Sequence, residues 1–305
     1  WCTVTVNGNV VTVAVPTYTG LVGRNAVVEI SNTLDSKVRV PVSQAGGVWY
    51  VNGDDLYGLS DEESTITIPV KSDYDYTVDM PAWITGEKVK EGYNFTLTEN
   101  TTGNARKGTV IFKSQKGTKE ITFVQFGVND IAGTYEATYS TFGEGDDWVS
   151  ETVKIELLQD EENEAVFYAD GLSSIRGVVL PLKFDGETYQ LSALNGQYLG
   201  FIESQKWYLY TIVRSEAGYV HADTSLSYPA IAELDVDDEE LMPFFPFKDK
   251  KGFSFTGETG TIKSFIDAIG VYVFASKSPT FGNNNNLGYY DIFKGLSIKK
   301  IKADH

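Results

Sequence analysis

Hydrophobic and polar residues alternate with period two along most of this chain. Such alternation is typical of β-strands that bury one face, because successive side chains of a strand point in opposite directions. Turn dipeptides such as Asp185-Gly186, Asn195-Gly196 and Ala217-Gly218 separate several of the runs and favour hairpins. A brief helix is expected only near residues 262–269. The pattern therefore predicts an all-β protein.

The first part of the chain contains an internal repeat. Four residues recur in the same order, with nearly constant spacing: Trp1, Arg24, Gln44 and Gly46 reappear as Trp83, Arg106, Gln125 and Gly127. The second copy is preceded by residues 48–82, whereas the first copy has nothing before its tryptophan. Residues 1–46 thus correspond to the back half of a module, and half a module of that size buries too little surface to stand alone. We expect the natural chain to continue upstream of Trp1.

The order of Trp83, Asn100, Arg106 and Gln125 around alternating strands resembles the BACON module. The resemblance covers residues 47–127, and residues 1–46 in part. It implies two immunoglobulin-like β-sandwiches in tandem, the first incomplete, of a non-catalytic kind found in secreted and surface proteins of gut Bacteroidetes and named for carbohydrate binding. Period-two placement favours core and strand-end roles for the repeated Trp, Arg and Gln rather than ligand contacts.

Residues 128–305 follow a different pattern, which opens with Gly133-Thr134-Tyr135 and closes with a long β-rich run from Tyr289 to Ile301. About ten antiparallel strands favour a closed barrel or a large sandwich. This domain is similar to the lipocalin-like barrels of Bacteroidetes surface proteins, which implies an antiparallel β-barrel with a cavity for a small apolar or sugar ligand. Met242–Phe247 contains two prolines, so it is expected to be a lid or, by preference, a flap packed outside.

Composition excludes several classes of function. The 305 residues include 25 Lys and Arg against 42 Asp and Glu, and the net charge of −17 disfavours binding to nucleic acid or to an anionic membrane surface. The single cysteine excludes an intrachain disulfide and a Cys-based metal centre. With only two histidines, the chain has few residues from which a Ser-His-Asp triad could be built. No apolar run reaches the length of a membrane helix. We expect no cofactor and no catalysis, since abundant carboxylates alone identify no acid pair.

Aromatic side chains are the best candidates for ligand binding, because their faces stack on sugar rings. The candidates are Trp148, Trp207, Tyr208 and Tyr210. In an alternating strand Trp207 and Leu209 face one way and Tyr208 and Tyr210 the other, so one pair is expected in the core. An acidic run that includes Asp235, Asp237 and Asp238 is a weaker candidate for calcium, since it lacks the pattern of an EF-hand loop and is expected to be a solvated loop.

These observations predict an extracellular or outer-surface protein, lipid-anchored through an upstream segment, that binds a glycan or mucin without catalysis. The sandwiches would act as spacers. Two alternatives remain: a lipocalin-like carrier of a small ligand, and a purely structural spacer. A deep apolar cavity in residues 128–305 would favour the carrier, and an open row of aromatic rings with polar neighbours would favour the glycan binder. The identity of the ligand and the oligomeric state stay open.

Overall fold

The computed structural model describes residues 1–144, 147–237, 241–257, 260–282 and 284–302. Within these residues the regular elements are β-strands, joined by one short 3-10 helix at Val128–Asp130. The all-β prediction is confirmed. The chain divides into two compact units, the first made of Trp1–Gly58, Glu62–Glu99 and Gly108–Val124, and the second of Leu59–Asp61, Asn100–Lys107 and Gln125–His305.

The first unit begins with two antiparallel hairpins, which consist of β1 (Thr3–Asn7), β2 (Val10–Ala14), β3 (Arg24–Ser31) and β4 (Lys37–Gln44). Arg24 lies opposite Gln44 in the second hairpin, and its Nε and Nη2 donate to Gln44 Oε1 at 3.1 and 2.8 Å. The same residue pair recurs in the second copy, where Arg106 Nε donates to Gln125 Oε1 at 2.9 Å. The repeated Arg and Gln therefore join two neighbouring strands in each copy.

Eight further strands form two four-stranded sheets. They are β5 (Trp49–Val51), β6 (Leu56–Leu59), β7 (Ser64–Ser72), β8 (Tyr76–Asp79), β9 (Ile84–Val89), β10 (Gly92–Leu97), β11 (Arg106–Ser114) and β12 (Gly117–Gln125). The strand orders are β5-β7-β10-β9 and β6-β12-β11-β8. Phe95 of the first sheet contacts Phe112 and Phe123 of the second, with ring centroids 5.8 and 5.5 Å apart. All three rings are fully buried, so the alternating apolar positions form one core.

The second unit contains one large antiparallel sheet, curled into a half-barrel, and a separate hairpin. The strands are β13 (Gly133–Phe142), β14 (Trp148–Gln159), β15 (Val166–Asp170), β16 (Leu180–Asp185), β17 (Gln190–Leu194), β18 (Tyr198–Ile202), β19 (Trp207–Ser215), β20 (Val220–His221), β21 (Ser227–Ile231), β22 (Phe244–Pro246), β23 (Phe253–Gly257), β24 (Gly260–Ser264), β25 (Ile266–Phe274) and β26 (Asn286–Lys300). The main strand order is β18-β19-β25-β26-β13-β14-β15-β16-β17-β21, with β20 beside β19 and β22 beside β26.

The proline-containing segment Met242–Phe247 contains a short strand, β22, and is not the outer flap that we expected. Its central part, β22, pairs with β26, and Phe245 and Phe247 lie in the core. Isolated bridges connect the same segment to β21 and to Glu233. Pro246 in β22 and Pro229 in β21 have no N–H to donate, which explains why this junction is made of isolated bridges rather than a continuous ladder.

Residues 262–269 are also extended, so the predicted helix is wrong. They form the end of β24 and the beginning of β25. Ile262, Phe265, Ile266 and Ile269 have a helix-like spacing, but β25 pairs on both edges, with β19 and with β26. Pairing with two neighbouring strands outweighs a short local pattern, because it satisfies the backbone groups on both sides of the strand.

The inner face of the curled sheet is filled by apolar side chains. The large or central members of this core are Tyr135, Ile155, Leu157, Phe167, Leu180, Leu182, Phe184, Leu191, Tyr228, Phe245, Phe293 and Ile298. Residues of β19 and β25, including Leu209, Val213, Ile269 and Val271, extend the same core. The opposite face of β19 and β25 is therefore directed away from this core.

Candidate functional site

An aromatic surface covers the side of β18, β19, β25 and β26 that faces away from the main core. We call it the outer aromatic face, and it consists of Tyr198, Phe201, Tyr208, Tyr210, Tyr272, Phe274, Phe281 and Tyr289. Its position follows from strand order, since these four strands are consecutive neighbours in the sheet. Side chains opposite each other on neighbouring antiparallel strands lie on the same face and come into contact.

The register of the strands arranges the rings in two rows. In the first row Tyr198 lies opposite Tyr210, which lies opposite Tyr272, and Tyr272 lies opposite Tyr289. Within this row the rings of Tyr198 and Tyr210 have centroids 5.3 Å apart, and those of Tyr272 and Tyr289 have centroids 4.9 Å apart. The second row is shorter and begins at Phe201, whose ring lies 4.5 Å from that of Tyr208. These distances are those of direct aromatic contact.

The outer aromatic face has a buried layer and an accessible layer. Tyr210, Tyr272 and Phe274 are buried and form the base. Tyr198 is 48 % exposed, Phe201 37 % and Phe281 40 %, so their rings are open to a ligand in water. A sugar ring could stack on these rings, since they are held in place by the buried layer below.

Gly270 of β25 leaves space for the Tyr289 ring of the outer aromatic face. A Cβ at that position would lie 2.9 Å from Cδ1 of Tyr289 and 2.2 Å from the Asp291 carbonyl oxygen. The Tyr289 ring therefore lies against a backbone position without a side chain. Burial raises the pKa of the Tyr289 hydroxyl well above its ordinary value, and this hydroxyl has no hydrogen-bond partner among the described residues.

The connection between β25 and β26 folds over one end of the outer aromatic face. Phe281 contacts both Tyr272 and Phe274, at 5.7 and 5.5 Å between ring centroids. Asn285 supports this connection, since its amide nitrogen donates to the carbonyls of Ser278 and Thr280 at 2.8 Å. These bonds position the exposed Phe281 ring, which a hairpin tip without such bonds would leave mobile.

Lysines lie at the edge of the same surface. Lys277 is hydrogen-bonded through its carbonyl to the Tyr210 hydroxyl, and its ammonium lies 5.9 Å from the Tyr198 ring. Lys206 lies 5.8 Å from the Phe201 ring and is paired with Glu203. The accessible rings thus have charged and hydrogen-bonding neighbours, as a surface that binds a polar ligand by stacking requires.

The four aromatic residues singled out from the sequence occupy different positions. Tyr208 and Tyr210 lie on the outer aromatic face, whereas Trp207 packs against the main core together with Leu209. This division is the one that strand alternation predicts.

Trp148 lies at the start of β14, and its ring contacts that of Phe142 at 4.6 Å. Lys294 Nζ lies 4.6 Å from the centre of the Trp148 ring, and the Arg214 guanidinium carbon lies 5.5 Å from it. Arg214 belongs to β19 and Lys294 to β26, so the Trp148 ring lies beside side chains from two strands that carry the outer aromatic face. Its ring already has an aromatic and two cationic neighbours, and we therefore do not count it among the rings open for stacking.

The acidic run forms an exposed turn where it is described. The backbone N–H of Asp237 donates to the carboxylate of Asp235 at 3.1 Å, and Asp238 lies outside the described residues. In the part of the chain that the structure describes, no group of three or more His, Cys, Asp and Glu side chains could hold a metal ion. Within the same residues, no helix has the length and apolarity needed to cross a bilayer.

Sequence reasoning missed most of the outer aromatic face. Tyr198, Phe201, Tyr272 and Tyr289 lie on three strands, and Phe281 lies between β25 and β26, so no local pattern links them into one surface. The one local signal was the spacing of Tyr272 and Phe274, which places two aromatic rings on the same side of a strand as in Tyr208 and Tyr210. Which strands become neighbours is not encoded in any such local pattern.

Comparison with known families gives one match, to the BACON family, described as "Putative binding domain, N-terminal", over residues 71–126. These residues run from the end of β7 to just beyond β12. The predicted BACON resemblance is thus confirmed for this part of the chain. Comparisons with curated proteins and with solved structures give no match.

Proposed function

We propose that this protein binds carbohydrate without catalysis and that the outer aromatic face is the surface that contacts the sugar. The observation that carries the proposal is the set of three accessible rings, Tyr198, Phe201 and Phe281, around a buried aromatic layer. The BACON match supports a binding role. Stacking on aromatic rings provides affinity for the apolar face of a sugar ring, and the neighbouring lysines provide hydrogen bonds to its hydroxyl groups.

The BACON-matched segment itself offers less for stacking. No large hydrophobic side chain of residues 71–126 is exposed. Its aromatic rings, such as those of Tyr93, Phe95 and Phe112, contact one another. We therefore propose that residues 47–127 form an immunoglobulin-like sandwich that acts as a spacer, with residues 1–46 as a partial second copy. The BACON resemblance also favours an extracellular or outer-surface location. In this proposal the second unit makes the contact with the glycan.

The carrier alternative requires an apolar chamber inside the curled sheet. The inner face is instead occupied by buried side chains such as Phe167, Phe245 and Phe293. An open pocket of about 640 Å³ does lie at one end of the second unit, but Glu156, Lys300 and Lys302 are among its lining residues. A charged lining of this kind suits an apolar ligand poorly. The spacer alternative predicts that no glycan binds to either unit.

The experiment is a glycan array with the whole chain, followed by titration calorimetry of the best ligand. We expect Tyr198→Ala and Phe201→Ala each to weaken binding by about two- to tenfold, because one stacked ring contributes roughly 0.5–1.5 kcal/mol. Tyr290→Ala is the matched control. Tyr290 is 47 % exposed, it neighbours Tyr289 in β26, and its ring lies 6.3 Å from that of Trp207, which packs against the main core.

Tyr50→Ala distinguishes between the two units. Tyr50 is 57 % exposed on β5 of the first unit. Loss of binding in this variant, with normal binding in Tyr198→Ala, would move the contact surface to the first unit and contradict our assignment. Absence of any glycan above background on the array would contradict the carbohydrate proposal itself and leave the spacer alternative.

A further inference from the structure

A cluster of charged side chains continues the outer aromatic face toward Trp148. It consists of Arg214, Lys294 and Asp267. Arg214 and Lys294 both lie opposite Ala268 of β25, one from β19 and one from β26. The two long cationic side chains therefore flank a small residue in a single row across three strands.

The charges in this cluster do not cancel. Arg214 Nη1 lies 2.6 Å from Asp267 Oδ2, and Lys294 Nζ lies 3.6 Å from the same oxygen. One carboxylate thus serves two cations, which leaves one excess positive charge in a chain whose net charge is −17. Arg214 has the shorter contact, so the Asp267 carboxylate primarily compensates the guanidinium.

Lys294 is the more accessible of the two cations. Its side chain is 37 % exposed, compared with 19 % for Arg214 and 12 % for Asp267. Its ammonium lies over the Trp148 ring, which fixes its position without neutralising its charge. An ammonium that is positioned in this way can still donate hydrogen bonds to an anionic group from outside.

The distance to the aromatic rows suits an oligosaccharide. Arg214 lies four residues beyond Tyr210 on β19, which corresponds to about 13 Å along a strand. A sugar chain that lies along the strands can therefore place one ring on the accessible aromatic residues and another beside Lys294. A single monosaccharide is too short to contact both.

We infer that Lys294, together with Arg214, forms a subsite for an anionic group on a sugar ring, so that the preferred ligand is an acidic oligosaccharide. This inference rests on the proposed carbohydrate-binding function. The shared chemistry is a negatively charged oxygen group, either the carboxylate of a uronic acid or a sulfate ester. Arg and Lys recognise both, the guanidinium with paired N–H groups and the ammonium as a point charge.

The test compares three oligosaccharides of the same backbone, one neutral, one carrying uronic-acid carboxylates and one carrying sulfate esters, by calorimetry on the whole chain. We expect at least one acidic ligand to bind about tenfold more tightly than the neutral one. Lys294→Gln should remove this preference, so that the acidic and neutral ligands bind with similar affinity, whereas Lys294→Arg should retain it. The better of the two acidic ligands identifies the source of the negative charge.

Lys183→Gln is the matched control, because Lys183 is an exposed lysine of β16, a strand separated from β26 in the sheet by β13, β14 and β15. Melting temperatures of all variants report on folding. Equal affinity for neutral and acidic ligands, or an equal loss for both in Lys294→Gln, would overturn the inference. If Tyr198→Ala still weakened the neutral ligand, the proposed function would stand. Failure of all three ligands to bind would overturn both.

Discussion

Asp61 and Asp130 are two aspartates buried near each other in the second unit. Each has one oxygen bound to a protein N–H, since Asn100 Nδ2 donates to Asp61 Oδ1 at 3.3 Å and Gly127 N donates to Asp130 Oδ2 at 3.0 Å. Their other oxygens are buried and receive no N–H or O–H from a third described residue, so a hydrogen bond between the two side chains needs a proton on one of them. Gly127 allows this approach, because a Cβ there would lie 2.4 Å from Asp61 Oδ2.

Lys300 lies beside this pair but does not bind its carboxylates. Its ammonium donates to the backbone carbonyls of Asp130 and Gly103 at 2.8 and 3.1 Å. Burial, together with the neighbouring Asp61 carboxylate, raises the pKa of Asp130 to about 7. Between pH values of about 4 and 7 the folded protein therefore holds a proton on Asp130 that an unfolded chain would release.

This pair makes the stability of the second unit depend on pH. Between the ordinary pKa of an aspartate and about 7, the folded state binds the extra proton, so its contribution to stability is complete at acidic pH and is lost as the pH rises through about 7. We expect Asp130→Asn to stabilise the protein by about 2 kcal/mol at pH 8 and to flatten the pH dependence between pH 5 and 8. Urea unfolding at several pH values measures both effects.

Asp170→Asn is the control for this prediction, because Asp170 is an exposed aspartate of the same unit. It should leave the pH dependence as it is in the parent chain. A parent chain whose stability rises steadily from pH 5 to 8, as expected for carboxylates paired with cations, would show that folded Asp130 does not hold the extra proton.

At the scale of strands, the two copies of the repeat show how neighbours decide burial. The hairpin β3–β4 of the first copy corresponds to β11 and β12 of the second. Val110, Phe112, Ile121 and Phe123 are fully buried in the second copy, whereas Val40 is 39 % exposed in the first. β11 pairs additionally with β8, and β12 with β6, while β3 and β4 form a two-stranded sheet of their own. A hairpin without further neighbours is marginally stable.

Hydrogen exchange should therefore differ between matched strands of the two copies. We expect amides of residues 24–31 and 37–44 to exchange about a hundredfold faster than those of residues 106–114 and 117–125, because the β3–β4 hairpin opens without unfolding a core. Mass spectrometry after pepsin digestion resolves these peptides in one experiment, and the second copy is the internal reference. Equal protection in both copies would show that the first hairpin is held by contacts other than those described.

At the scale of the whole molecule, acidity is the dominant electrostatic property. The net charge is −17 and the isoelectric point is about 4.5. At neutral pH the excess of like charges destabilises the compact state, and dissolved salt screens that repulsion. The excess positive charge at Lys294 is a local exception, so salt should act on stability and on the binding of an acidic glycan in opposite directions.

We expect the melting temperature at pH 7.5 to rise by about 2–5 °C between 10 mM and 300 mM NaCl, since screening reduces self-repulsion. The rise should shrink near pH 4.5, where the net charge is close to zero, and this second measurement is the control. Differential scanning calorimetry provides both values. A melting temperature that falls with salt at pH 7.5 would show that attractive ion pairs outweigh the repulsion.

The period-two alternation by itself determined that the chain is all-β, where many of its strands lie, and which side chains share a face of β19. The repeat identified the recurring Arg and Gln residues, and the structure shows that they pair in each copy. These features depend on neighbouring residues along the chain, and the alternating geometry of a strand links them directly to structure.

Only the tertiary structure decided which strands are neighbours. Residues 266–269 became part of the large sheet because two strands pair with β25, and the middle of Met242–Phe247 became a core strand because it pairs with β26. The outer aromatic face exists because β19 pairs with β25, which joins β18 and β19 to β25 and β26 although these two pairs of strands are far apart in sequence. Alternation specifies the two faces of a strand but not its partners, since pairing depends on the total surface that all strands bury together.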